Sequence, residues 1–351
     1  MTAAREPLVA CINHPADFDV AALRERVAGL ARPVELLVAP YKENLKLRLA
    51  KRAPPVPEAL LSQQPEPDAA LRDAWARCEV LMGLDLPSHL RKSAPLLRWI
   101  QAFSAGIEHL GARELLEHKI RLTTAAGAGA GPIAEFVIAR LLEVWKATRH
   151  VEAMQRARRF TRPQSRLLEG STLGIVGLGA IGSAVAQRAA ALGMRVLATR
   201  RHFTPGQTAP NVQTLYGPDG IDVLLARCDA LVLAAPDTPE TRDLIDARAL
   251  AAIKPGAVLV NVARGALIDE AALIEALADG RLGAAILDVT RQEPLPDGDP
   301  LWDAPNLYLS PHCAVSPDVY VERALDLFVD NLTRYAAGEP LRNEVTQEQV
   351  E

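Results

Sequence analysis

Gly177-Leu178-Gly179-Ala180-Ile181-Gly182 follows an apolar run at 172–176 and opens a stretch of helical periodicity from 180 to 192. A glycine turn between a strand and a helix is the context in which G-x-G-x-x-G has a physical meaning. The first glycine permits the tight turn, the second lets the backbone approach a pyrophosphate, and the third lets the helix pack close to the strand. The helix N-terminus then offers unpaired N–H groups to phosphate oxygens. The segment reads as the dinucleotide-binding unit of an α/β domain; the rival reading is a tight turn whose glycines are incidental.

Outward from this turn, strand-like runs stand at 172–176, 194–199, 230–234, 257–261, 284–288 and 306–309, with helical patterns between most of them. This fits a doubly wound parallel sheet. Upstream, short apolar runs at 8–12, 34–39, 79–82, 98–102 and 121–124 also alternate with helical stretches, as in a second set of βα units. The proline-rich stretch 52–68 reads as a surface loop inside that first region. Gly127, Gly129 and Gly131 precede Pro132, which suits a first helical turn, and a long apolar helix is expected from Ile133 to about His150. A last helix is expected over 318–337, closed by Gly338.

Composition sets the outer bounds. The 351 residues are about twice the usual domain size, and 49% hydrophobic with 23% charged residues excludes a disordered chain. A net charge of -4 gives no electrostatic reason to expect nucleic acid or an anionic membrane as partner. No apolar run approaches the length of a membrane span, and the first 15 residues lack a secretory pattern, so a cytoplasmic protein is expected. Cys11, Cys78, Cys228 and Cys313 are widely spaced, which argues against a disulfide scaffold and a zinc site. They read as small core hydrophobes. The arginines at 156, 158, 159, 162 and 166 read as a solvated connector. No metal is expected.

The nucleotide class follows from the end of the second strand. An NAD site usually carries an acid about 20 residues after the glycines to accept from the ribose 2′-OH. Here Arg200 stands 23 residues after Gly177, followed by Arg201 and His202, and no carboxylate is present. A guanidinium can grip a 2′-phosphate bidentately, so NADP(H) is favoured, with NAD(H) possible.

Three polar residues fall after later strands, where open α/β sheets place ligands. They are Arg264 in Asn261-Val262-Ala263-Arg264-Gly265, Glu293 in Asp288-Val289-Thr290-Arg291-Gln292-Glu293-Pro294, and His312 in Ser310-Pro311-His312-Cys313-Ala314. A cation for a carboxylate, an imidazole to move a proton and an acid to keep that imidazole charged are the requirements for reducing a 2-keto acid. Singly, each has a plain rival as a surface ion pair, a loop acid or a buried histidine.

At these residues, and at Leu233-Ala234-Ala235-Pro236-Asp237-Thr238-Pro239-Glu240-Thr241 and Leu97-Arg98-Trp99-Ile100-Gln101-Ala102-Phe103-Ser104-Ala105-Gly106-Ile107-Glu108-His109-Leu110, the sequence resembles the D-isomer-specific 2-hydroxyacid dehydrogenases. The resemblance implies two Rossmann-like or flavodoxin-like parallel-sheet domains with a cleft between them. The cofactor domain, 129–315, would be inserted in a discontinuous substrate domain made of 1–128 and 316–351. It implies that His312 is the general acid, that Glu293 hydrogen-bonds its far ring nitrogen, and that Arg264 binds the substrate carboxylate with help from the N–H groups of Ala105 and Gly106. Gly177, Gly179, Ala180, Ile181, Gly182, Arg200, Arg201, Ala235, Pro236, Thr241 and Val262 would face the cofactor, and Asp288 would accept from its carboxamide. His109 and the remaining histidines read as structural. The long helix from Ile133 would pack against its counterpart in a homodimer; the rival destination for its apolar stripe is a core within one chain.

Thr290 stands where many family members carry Phe, which with Arg200 points to the NADPH-linked glyoxylate and hydroxypyruvate reductases. With 39 residues after His312, the extra C-terminal regulatory domain of many phosphoglycerate dehydrogenases is not expected. The rivals are the same chemistry on another keto acid with NADH, and a dinucleotide-sensing, corepressor-like binding protein, which has no need of a protonated histidine.

Overall fold

The computed structural model describes residues 6–15, 17–52 and 55–350. Met1–Arg5, part of the segment read for a secretory pattern, and Pro54 of the proline-rich stretch lie outside the described residues. The chain divides into two compact units, one formed by Met1–Ala128 with Pro317–Glu351 and the other by Gly129–Ser316.

The first unit is built on β1 (Leu8–Ile12), β2 (Val34–Val38), β3 (Val80–Gly83), β4 (Trp99–Ala102) and β5 (Arg121–Thr123), all parallel in the order β2-β1-β3-β4-β5. Parallel sheets need cover on both faces, and the strands here supply apolar side chains to both. Leu8, Ala10, Ile12, Val80, Met82 and Trp99 join one core with Ala324, Leu325, Phe328 and Leu332 of the helix Pro317–Ala337. Cys11, Leu81, Ile100 and Leu122 join the other with Leu71, Ala74 and Trp75. A buried polar thread ties the C-terminal helix to the sheet. Trp99 Nε1 donates to Thr123 Oγ1 at 2.9 Å, Thr123 Oγ1 to Gln101 Oε1 at 2.8 Å, and Asn331 Nδ2 to the same Gln101 oxygen at 3.0 Å. The stretch expected as a surface loop holds a short helix, Glu58–Leu61, started by Pro57, whose fixed φ suits a helix entrance.

The second unit carries β6 (Thr172–Val176), β7 (Arg195–Thr199), β8 (Thr214–Tyr216), β9 (Ala230–Leu233), β10 (Ala257–Asn261), β11 (Leu282–Leu287) and β12 (Leu307–Leu309) in the order β12-β11-β10-β9-β6-β7-β8, all parallel. β8 was not among the six expected strands: three residues with only Leu215 buried leave no periodicity to read. Chain order reverses between β6 and β9, and the glycine turn leaves β6 at that switch point, where doubly wound sheets bind ligands. The helix expected to about His150 instead spans Ala130–Trp145; Ala147 adopts φ +52, which ends it, and a second helix, Thr148–Arg156, begins. No helix among the described residues is long and apolar enough to cross a membrane. Cys11, Cys78 and Cys228 are buried as expected, but Cys313 is exposed because it sits in the loop after β12 and not in a core.

Candidate active site

The glycine turn is shaped by close approaches. Gly177 adopts φ +96, and a Cβ on it would lie 2.7 Å from the Ala235 nitrogen, so neither a side chain nor an ordinary φ fits. A Cβ on Gly182 would overlap the Gly177 carbonyl, so the third glycine is needed for the helix Ala180–Ala191 to pack against the turn. Gly179 differs: a Cβ there would meet nothing within 4 Å. Packing within the protein does not require this glycine, and the space before the helix N-terminus is open. Gly179 also provides no side-chain cap, so the first-turn N–H groups, beginning with those of Ala180 and Ile181, stay available to an anion. These features fit a dinucleotide pyrophosphate.

Gly177 and Leu178 donate their N–H groups to Thr199 O at 3.2 and 3.0 Å, which brings the turn beside the end of β7. Arg200 and Arg201 follow there, both exposed and without an ion pair among the described residues. Across the turn, Ala235 is 8% exposed under Gly177. The loop after it is stapled by Thr241, whose Oγ1 donates to Pro236 O at 2.7 Å and accepts from Thr238 N at 2.8 Å. Val262 is buried at the end of β10.

Arg264 is placed by a buried neighbour. Asn261 donates to Arg264 O at 2.8 Å and accepts from Ala263 N at 3.0 Å, fixing the turn that carries the guanidinium. Arg264 Nη1 donates to Ala263 O at 2.8 Å. Gly265 lies against the Thr290–Arg291 peptide so closely that a Cβ would overlap it, which packs the loop after β10 onto the loop after β11. That second loop is pinned in turn by Arg291, whose N–H donates to Glu270 Oε1 at 2.7 Å and whose Nε donates to Ile268 O at 2.8 Å.

His312 Nδ1 lies 3.0 Å from Glu293 Oε2, and Glu293 Oε1 accepts from Thr290 N at 3.4 Å. His312 itself adopts φ +52, a conformation unfavourable for a residue with a Cβ. The loop is held there by Asp288. Its carboxylate accepts from Ser310 Oγ at 2.7 Å, Cys313 N at 3.0 Å and Ala314 N at 3.0 Å, and its backbone oxygen accepts from His312 N at 2.8 Å. Asp288 is 2% exposed. This clamp, and the part of Asn261, were not read from the sequence; both depend on how the loops fold back.

The second unit thus holds Arg264, Glu293, His312 and Asp288 on neighbouring strand ends, at the same end of the sheet as the glycine turn. Ala105 and Gly106 belong to the first unit, in the loop after β4, where Ser104 Oγ donates to Gly106 O at 2.6 Å. In that unit His14, after β1, stacks on Phe103 with ring centroids 3.6 Å apart. Burial lowers the His14 pKa to about 4. His109 is 5% exposed and its Nε2 pairs with Leu84 O at 2.8 Å, a core contact.

Residues 138–314 match the family described as D-isomer specific 2-hydroxyacid dehydrogenase, NAD binding domain. A glyoxylate reductase of Korarchaeum cryptofilum is 32% identical over 88% of this chain and 92% of its own. A glycerate dehydrogenase of Methylorubrum extorquens is 42% identical over 49% of this chain, and the match takes in only 52% of that protein's length. Among solved structures, a D-isomer specific 2-hydroxyacid dehydrogenase from Xanthobacter autotrophicus in complex with NADPH and MES aligns with TM-score 0.75 and 27% identity, covering 97% of this chain and 100% of that one.

Proposed function

This chain belongs to the D-isomer specific 2-hydroxyacid dehydrogenase family, and we propose that it reduces a small 2-keto acid of the glyoxylate or hydroxypyruvate type to the D-2-hydroxy acid. The observation that carries this reading is the 3.0 Å contact between His312 Nδ1 and Glu293 Oε2. It commits one ring nitrogen to an acid, holds the proton on that side and leaves Nε2 to deliver a proton to the carbonyl oxygen. Arg264 binds the substrate carboxylate and polarises the keto oxygen, its turn fixed by Asn261. The dinucleotide, when bound, supplies the hydride.

Gly177, Gly179, Ala180, Ile181 and Gly182 hold the pyrophosphate, with Ala235, Pro236, Thr241 and Val262 along its path. Arg200, with Arg201 beside it, selects NADP(H) by engaging the 2′-phosphate. The relative solved with NADPH supports that preference. A homodimer is the working assembly: Val151, Phe160 and Leu167 are exposed apolar residues on the segment that follows the helix Ala130–Trp145, and a second copy would bury them.

The test is initial-rate oxidation of NADPH and, separately, NADH by the purified protein with glyoxylate, hydroxypyruvate, pyruvate and phenylpyruvate. Rapid NADPH loss with glyoxylate or hydroxypyruvate is the expected result. If no keto acid supports oxidation of either cofactor although both bind, the reductase reading is lost.

A further inference from the structure

The opposite pole of the second unit carries a pocket that the proposed chemistry does not use. It has a volume of about 230 Å³ and is lined by Thr172, Arg195, Leu197, Gln213, Arg227 and Lys254, together with Ala226. Thr172 and Arg195 open β6 and β7, Gln213 precedes β8, and Lys254 precedes β10, so the pocket sits at the N-terminal ends of the strands. The glycine turn and His312 lie at their C-terminal ends, roughly 16 Å away for strands of this length.

Three of the lining side chains are cationic and none is a carboxylate, in a chain whose net charge is -4. Lys254 is partly spoken for. Its Nζ donates to Asp229 Oδ1 at 2.7 Å, and Asp229 also accepts from Thr172 N at 2.9 Å. Arg195 and Arg227 are exposed, and neither guanidinium has a carboxylate partner among the described residues. Two unpaired guanidiniums lining one concavity repel each other unless an anion joins them, while the Lys254 ammonium beside them is already paired with Asp229. Arginine forks match the paired oxygens of a phosphate, and a doubly charged group balances the two unpaired charges. The volume is below that of a typical drug-sized site and suits a small molecule.

We propose that this pocket is a second anion site, separate from the dinucleotide end, that takes the phosphate group of a small phosphorylated metabolite. It stands or falls independently of the substrate reading, because none of its residues touches the candidate active site.

The test is isothermal titration of the full chain with inorganic phosphate at constant ionic strength, comparing wild type with Arg195→Gln/Arg227→Gln in the presence of NADPH. Any phosphate held at the glycine turn is common to both proteins and cancels in the comparison. The expected result is saturable binding in the wild type, weakened about ten-fold or more in the double variant, with unchanged basal turnover in keto acid reduction. If the double variant fails to fold, the single variants carry the comparison, each expected to weaken binding several-fold. Equal binding in wild type and variant, or no saturable binding by the wild type below about 10 mM, overturns the proposal. A variant that is merely less stable, to the same degree with and without phosphate, does so too, because the arginines would then serve packing alone, as Arg227 could at the C-terminal end of the helix Ile221–Arg227.

Discussion

Asp288 grips the loop of His312 without touching its ring: His312 N–H donates to the Asp288 backbone oxygen at 2.8 Å, and the Asp288 carboxylate takes the N–H groups of the next two residues at 3.0 Å each. A backbone at φ +52 is thereby held by an acid at the end of the preceding strand, β11. With Ser310 Oγ also bound, three of about four acceptor sites on the carboxylate are filled. Asp288→Ala should therefore lower turnover about 100-fold by letting the imidazole drift, while cofactor affinity stays near the wild-type value. Fluorescence titration of NADPH beside initial rates separates the cases. A large loss of cofactor affinity with normal turnover would make Asp288 a cofactor contact and not a positioning residue.

The imidazole itself is tested directly. His312→Ala should cut turnover between about 10²- and 10⁴-fold, the usual span for a general acid, with an unchanged circular dichroism spectrum and melting temperature. Glu293→Gln should cut it less, since the amide can still accept from Nδ1–H but carries no charge. Near-normal rates for His312→Ala would remove the proton-donor assignment.

The proposed preference for NADP(H) can be tested at one side chain. If Arg200 engages the 2′-phosphate as proposed, Arg200→Asp would put a ribose acceptor in its place, and the ratio of kcat/KM for NADPH over NADH should fall by at least about 10-fold. An unchanged ratio would mean that Arg200 faces solvent.

Gly265 gives a steric prediction independent of chemistry. Its added methyl would overlap the Thr290 carbonyl, so Gly265→Ala must push apart the loops that carry Arg264 and Glu293. We expect about 1–3 kcal/mol of lost stability, as for other overpacked sites, together with impaired turnover. Normal stability and normal rates would mean that the two loops are not in contact in solution.

His14 supplies a pH dependence. Its folded pKa of about 4 lies below the 6.5 of the free group because burial penalises the charged ring. Between those values the unfolded chain binds more protons than the native one, so stability rises with pH through that window and is lost on acidification. His14→Gln should show a smaller drop in urea midpoint between neutral pH and about pH 4.5 than wild type. Equal drops would show that His14 titrates normally.

The fold class was legible because parallel strands buried on both faces leave continuous apolar runs, and because the glycine turn stands between a strand and a helix, where its pattern has a physical meaning. The edge strand Thr214–Tyr216 was not, since it pairs with β7 alone and buries a single side chain. That Arg264, Glu293 and His312 follow β10, β11 and β12 was readable, because each stands just beyond an apolar run. The Asp288 clamp and the Gln101–Asn331 contact were not. The latter joins side chains 230 positions apart, and no local pattern encodes which buried amide will meet which. Cys313 misled because burial was inferred from residue type, whereas the loop after β12 turns it outward.

The core that Leu8, Trp99 and Met82 share with Phe328 and Leu332 sets an order of assembly during synthesis. The ribosome delivers the amino-terminal sheet first, yet one of its faces waits for a helix that ends at Ala337. The second unit, complete by Ser316, can fold while the earlier strands still expose apolar surface. Nascent chains halted before residue 317 should therefore be held by chaperones through their oldest segment, and release should coincide with the emergence of the last helix.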